Sequence, residues 1–172
     1  MEKFKDFISY ALIIVVIVLF RTFIATPVIV DGNSMIPSLV NNQILILYKL
    51  DKDYKRFDIV VIDHKVNDTK EHLVKRVIGL PGEYVEYKDG KLYINKKEVK
   101  ENFIDIKTPD FALAKLGYLE IPEDYYFVVG DNRTDSSDSR ILGLIPKNEI
   151  KGKIKFSLFP FSRFGKIKLE KW

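Results

Sequence analysis

The chain has 172 residues, 47% of them hydrophobic and 30% charged, with two histidines and no cysteine. That length fits one modest domain, or one domain plus an appendage, and excludes a multi-domain machine. The missing cysteines exclude a disulfide framework, a thiolate metal site, an iron–sulfur cluster and a cysteine nucleophile, whereas the formal charge of +4 excludes nothing.

The first element is an apolar run. Residues 7–20 read FISYALIIVVIVLF, with Ser9 and the phenol of Tyr10 as the only polar groups. As a helix this run spans about 21 Å, and extension through Ala25 gives about 28 Å, close to the ~30 Å hydrocarbon core. Arg21 then lies near one membrane face, where its long stem lets it reach headgroups. Pro27 and the turn at Asp31-Gly32 stop the helix. A core helix would show a polar face, and none is visible from Ala11 to Phe20. A cleaved signal peptide would share the apolar length and the basic start at Lys3 and Lys5. Glu2 and Asp6 offset those lysines, however, and Pro27 makes Ala25-Thr26 a poor cleavage exit. The preferred reading is an uncleaved anchor over residues 1–26 and a separate body over 27–172.

The body reads as strands. Short runs rich in Ile, Val, Tyr and Phe fall at 44–48, 58–62, 73–78, 84–87, 91–94, 125–129 and 153–156. Lys88-Asp89-Gly90-Lys91 is a hairpin signal between two of them. One or two helical turns are expected within 109–117. The fold class is therefore mainly β: an antiparallel, barrel-like or sandwich-like domain behind one N-terminal transmembrane helix.

Three patches carry chemistry. In Gly32-Asn33-Ser34-Met35-Ile36-Pro37-Ser38-Leu39, a glycine two residues before a serine permits close backbone approach, and Pro37 stiffens the chain just beyond the serine. Such a loop can present a nucleophilic hydroxyl, or it can be an ordinary turn capped by a serine. In the second patch, residues 72–83, a strand over 73–78 puts Leu73, Lys75, Val77 and Gly79 on one side. Lys75 among apolar neighbours loses hydration, which lowers its pKa. A lowering of about 2 units costs roughly 2.7 kcal/mol and turns the amine into a usable general base. The alternative has Lys75 snorkelling from a half-buried strand with Arg76 in solvent. The third patch, Gly130-Asp131-Asn132-Arg133-Thr134-Asp135-Ser136-Ser137-Asp138-Ser139-Arg140, sets Asp131 and Asp138 beside Arg133 and Arg140. Its composition suits a self-bridged, ordered loop that fixes Ser136 within reach of a neutral lysine.

In this order behind one apolar segment, the patches resemble those of bacterial type I signal peptidases (leader peptidases), which use a serine–lysine dyad. The resemblance rests on Ser34-Met35-Ile36-Pro37, on Arg56-Phe57-Asp58-Ile59-Val60-Val61, on Lys75-Arg76-Val77-Ile78-Gly79-Leu80-Pro81-Gly82 and on residues 130–140, and covers most of the chain. The small size and single anchor are similar to the Gram-positive form. The resemblance implies Ser34 as nucleophile and Lys75 as general base. It further implies that Ser136 orients the Lys75 amine, and that Asp138 and Arg140 brace the site through a salt bridge. Met35 with Val30, Leu73 and Val74 would line shallow apolar pockets for small side chains. It also implies no metal or other cofactor, signal peptides of secretory preproteins and membrane lipid as partners, and no nucleic acid. The cell membrane is the implied location, crossed once, with the catalytic domain on the extracytoplasmic side. Several positions depart from the family pattern: Gly32 stands where some members have serine, Ser38 for threonine, Phe57 for glycine, Glu83 for aspartate and Asp135 for asparagine.

Two other classes stay open. A Ser–His–Asp hydrolase could use His64 or His72, although His72 lies three residues before Lys75 and so on the opposite strand face. A non-catalytic, membrane-tethered β module could bind anionic lipid through its basic surface.

Overall fold

A computed structural model describes residues 2–66 and 69–167; the last five residues of the expected body, 168–172, lie outside the described residues. Helix α1 runs Glu2–Phe23. Strands β1 (Ala25–Ile29), β2 (Ile44–Tyr48), β3 (Ile59–Val66), β4 (Thr69–Gly79), β5 (Val85–Lys88), β6 (Lys91–Ile94), β7 (Lys97–Val99), β8 (Phe111–Ala112) and β9 (Tyr125–Val129) follow. A short helix α2 (Ser139–Leu142) precedes β10 (Ile145–Pro146), β11 (Ile150–Phe159) and β12 (Gly165–Lys166). The mainly antiparallel β class expected from the sequence is the one observed.

The 22 residues of α1 span about 33 Å. Every large apolar side chain between Phe4 and Phe23 is at least half exposed, so the protein does not bury this helix in its own core. A core helix is thereby excluded, while length and mean hydropathy of 2.1 suffice to cross a membrane. The helix stops two residues short of the Ala25 limit read from the sequence. The reason is that Ala25–Ile29 pairs with β2, from Ala25 opposite Tyr48 to Ile29 opposite Ile44.

A large sheet runs β1-β2-β11-β3-β4-β9-β10, with β12 beside β11, and a small one runs β7-β6-β5-β8. The centre of the large sheet is covered on both faces. From β3, Ile59 and Val61 join Leu45 and Leu47 in one cluster, while Val60 and Ile62 join Val77 and Val128 in another. Burial on both faces explains why β3 opens as an unbroken apolar run. Phe57, Ile78 and Phe127 form a third cluster with Val85, Tyr87 and Leu92 of the small sheet. The β5–β6 hairpin forms at the expected turn, with Asp89 and Gly90 at φ of 52° and 78°. The helical turn expected within 109–117 is a single 3-10 turn at Leu113–Leu116, ended by Gly117.

Candidate active site

The site forms where β4, the loop after β1 and the loop after β9 meet. Lys75 lies opposite Val60 in the β3–β4 ladder, and the neighbours on its face, Leu73 and Val77, pack in the same cluster as Val60. On the other side of β4, pairing with β9 begins at Arg76 opposite Val129. At that point the chain leaves β9 through Gly130. A side chain there has no room: a Cβ would collide with Ser136 Oγ and stand 2.5 Å from the Ser34 carbonyl oxygen. Glycine thus lets the two loops close on each other.

The 32–39 loop is held from both ends. Met35 and Leu39 sink into the cluster formed by β2 and β3, each 1% exposed. Leu39 N–H donates to Met35 O, and Ile36 N–H donates to Asn33 O. Asn132 N–H donates to Ser34 O at 3.0 Å, and Asn132 Nδ2 to Asn33 O at 3.3 Å. Arg76 Nη2 donates to Ser38 Oγ at 3.1 Å. This arrangement sets Ser34 Oγ 2.7 Å from Lys75 Nζ.

Lys75 is 3% exposed. Its pKa falls from 10.5 to about 8, chiefly through burial; Asp138 and Asp131 pull it upward, and the Arg140 charge pushes it down. The two carboxylates do not contact the amine because arginines occupy them. Arg76 Nε and Nη2 grip Asp131 Oδ1 and Oδ2 at 2.8 and 2.5 Å. Asp138 accepts from Arg140 Nε and Nη2 at 2.8 Å each and from Gly130 N–H at 3.0 Å. The Asp138–Arg140 salt bridge therefore forms as expected. The other half of the expected self-bridging does not: Asp131 binds Arg76, and Arg133 leaves the loop to meet Glu101 at 2.7 Å. Arg133 also donates to Tyr87 Oη and Thr108 Oγ1, which ties the loop to the small sheet.

Three further placements differ from the sequence reading. Arg76 is 1% exposed rather than in solvent, because β4 is covered on both faces. Ser136 is adjacent to Gly130 and the Ser34 carbonyl, but its buried hydroxyl finds no hydrogen-bond partner among the described residues, so no bond to Lys75 is made. Val30, Met35 and Val74 gather around one cluster, whereas Leu73 points through the opposite face of β4 into another. The alternation of a strand forces that split between neighbours 73 and 74. Of these four, Val74 lines a cavity of about 780 Å³ with Val28, Ile29, Val61 and His72.

Neither histidine meets the serine. His72 Nδ1 lies 2.6 Å from Asp63 Oδ1, and His64 Nδ1 lies 3.1 Å from Glu149 Oε2. One departure from the family pattern gains a physical meaning. Phe57 holds φ of 70°, a backbone state that glycine adopts freely, while its ring is buried against Phe103.

Over residues 4–159 the sequence matches the family described as "Signal peptidase, peptidase S26", and the chain belongs to that family. Within the family the similarity is to type I enzymes. "Signal peptidase I P" of Bacillus subtilis subsp. natto is 42% identical over 170 residues, covering 92% of this chain and 90% of the relative. "Signal peptidase I S" of Bacillus subtilis strain 168 is 39% identical and covers 96% of both chains. The crystal structure of a signal peptidase I from Enterococcus faecalis V583 matches with a TM-score of 0.54 at 36% identity, over 59% of this chain and 96% of that one. The resemblance drawn from the sequence patches thus holds at the level of the family.

Proposed function

We propose that the protein is a single-pass, membrane-anchored serine endopeptidase that removes signal peptides from secretory preproteins, with Ser34 as nucleophile and Lys75 as general base. The observation that carries this reading is the 2.7 Å approach of Lys75 Nζ to Ser34 Oγ. A pKa near 8 supports it. At that value about one lysine in ten is neutral at pH 7, roughly three hundred times more than for an ordinary lysine.

Neutral Lys75 takes the proton of Ser34 Oγ as that oxygen attacks the scissile carbonyl. Backbone donors of the 32–39 loop, the Ser34 N–H first among them, face the oxyanion. The Lys75 ammonium then gives its proton to the leaving amine, and the C–N bond breaks to leave an acyl-serine. Neutral again, Lys75 takes a proton from the water that attacks the acyl group, and releases it to Ser34 Oγ as the signal peptide leaves. Asp138 and Arg140 brace the loop, and Val30, Met35 and Val74 shape the apolar wall on which small side chains rest. The helix α1 holds this chemistry at the extracytoplasmic face of the membrane, and residues 27–172 form the catalytic domain on that side.

The test is cleavage of a preprotein by the full chain in liposomes. Ser34→Ala and Lys75→Ala each lower the rate by at least about 1,000-fold while circular dichroism stays unchanged. Full activity in Lys75→Ala overturns the dyad, and absence of cleavage by the unaltered chain, combined with salt-sensitive liposome binding by the domain without α1, favours a non-catalytic module instead.

A further inference from the structure

The junction between α1 and the large sheet is a built joint. A single residue, Ile24, separates Phe23 at the end of the helix from Ala25 at the start of β1. The last turn of a helix leaves carbonyls without intrahelical partners, a heavy penalty near a membrane. Here two side chains take up two of them. Lys49 Nζ donates to Arg21 O at 3.1 Å and to Thr22 O at 3.0 Å. Thr26 Oγ1 also donates to Arg21 O, at 2.7 Å. Lys49 N–H adds a bond to Ile24 O at 3.0 Å, which carries the β1–β2 ladder up to the helix itself. The ammonium is at the helix C-terminus, where the macrodipole favours a positive charge.

The far side of β1 leads into the 32–39 loop without slack. Val30 N–H donates to Gln43 O, and Asn42 N–H donates to Val30 O. Ser34 stands nine residues beyond Ala25, within about 30 Å of chain. The cavity of about 780 Å³ covers the same interval: Thr22, Thr26 and Lys49 line it at the helix end, and Val74, next to Lys75, lines it near the site.

We propose that Lys49, with Thr26, is a positioning residue that fixes the height of Ser34 above the end of α1. The protein then measures the substrate: it selects the peptide bond lying a set number of residues beyond the substrate's own membrane-embedded segment. This inference rests on the proposed function and deepens it. Each residue added to or removed from an extended substrate moves the bond by about 3.4 Å. Misplacement on that scale costs about 100-fold or more when the joint is rigid, and much less when the helix can tilt and slide relative to the sheet.

The experiment uses the full chain in liposomes and a set of preproteins in which the segment between apolar core and cleaved bond is shortened or lengthened by one to three residues. For each variant, kcat/KM is plotted against length and normalised to its own maximum. The unaltered chain is expected to show a narrow peak, falling at least about 100-fold two residues away. Lys49→Met, which keeps the stem without the ammonium, is expected to flatten the fall to about threefold or less, and Lys49→Arg to restore the peak. A Gly-Ser insertion between Ile24 and Ala25 broadens the same plot and covers the case in which Lys49→Met folds poorly. An unaltered profile in both Lys49→Met and the insertion overturns the inference while the proposed function stands. Absence of cleavage by the unaltered chain overturns both.

Discussion

Two lysines of the large sheet, Lys75 on β4 and Lys153 on β11, are each 3% exposed, yet their surroundings drive them in opposite directions. Burial is the largest influence on both and lowers both pKa values. For Lys153 it is outweighed: the ammonium lies 2.9 Å from Asp51 Oδ2 and 3.0 Å from Asp58 Oδ2, and the pKa rises above 10.5. Lys75 meets a hydroxyl at 2.7 Å instead, and its pKa falls to about 8. Burial alone therefore does not decide the direction of the shift; what matters is that no carboxylate among the described residues touches the Lys75 amine. Asp131 and Asp138 lie near enough to influence Lys75, but Arg76 and Arg140 hold them. The two arginines thus serve the lysine by keeping its carboxylates occupied.

The contrast also fixes two opposite pH dependences. Between about 8 and 10.5 the folded chain holds fewer protons at Lys75 than the unfolded chain does, so this group makes stability rise with pH in that window. Lys153 behaves inversely: its contribution is complete below 10.5 and is lost as pH climbs through its raised folded value.

Lys75→Arg is expected to cost the most activity. A guanidinium stays charged and cannot accept the Ser34 proton, so preprotein cleavage is expected to fall at least about 1,000-fold with little change in the unfolding midpoint. Retained cleavage would show that a neutral amine is not needed. Next comes Lys153→Met, which leaves Asp51 and Asp58 facing each other without this cation. Denaturant unfolding is expected to report a loss of about 2–3 kcal/mol, with kcat per folded molecule unchanged; a stability like that of the unaltered chain breaks the account of Lys153.

Ser136→Ala tests the neighbour of Ser34 on the far side of Gly130. Its hydroxyl is buried without a partner among the described residues, so the thermal midpoint should hold or rise slightly. If the hydroxyl receives the amine during turnover, kcat drops by about tenfold; an unchanged kcat removes Ser136 from the machinery. The smallest effect is on a pH profile. The alkaline-rising limb of kcat/KM should have its midpoint near pH 8. Arg140→Gln removes a charge that lowers the Lys75 pKa and frees Asp138 to raise it. Both act in one direction, and the midpoint should move up by about one unit or less. A downward shift contradicts the roles given to both groups.

Much of the molecule is legible in one dimension. The apolar run of α1, the short strands and the Asp89-Gly90 hairpin are local signals, set by period and turn chemistry. The three patches, through their resemblance to a family, point to Ser34 and Lys75. Partner choice is different. Four of the five charged residues of the 130–140 loop suggest internal pairing, yet Asp131 reaches Arg76 across 55 positions and Arg133 reaches Glu101 across 32. Composition shows that ions must be paired and is silent on which long-range partner is nearest. Arg76 escapes for a similar reason: a strand buried on both faces has no solvent side, and nothing in residues 73–78 records what covers them.

A membrane-length helix, a body of short strands and the absence of thiol chemistry are all dictated by residue order and type. They come from properties each segment has alone: apolar length, alternation and turn preference. The tertiary structure decides the rest, because it depends on which distant groups become neighbours. Folding brings Ser34 to Lys75, hands Asp131 and Asp138 to arginines, gives Lys153 two carboxylates and sets Lys49 on the last turn of α1. Charge state is a property of the assembled surroundings, and so the same residue type holds its proton less tightly than usual on β4 and more tightly on β11.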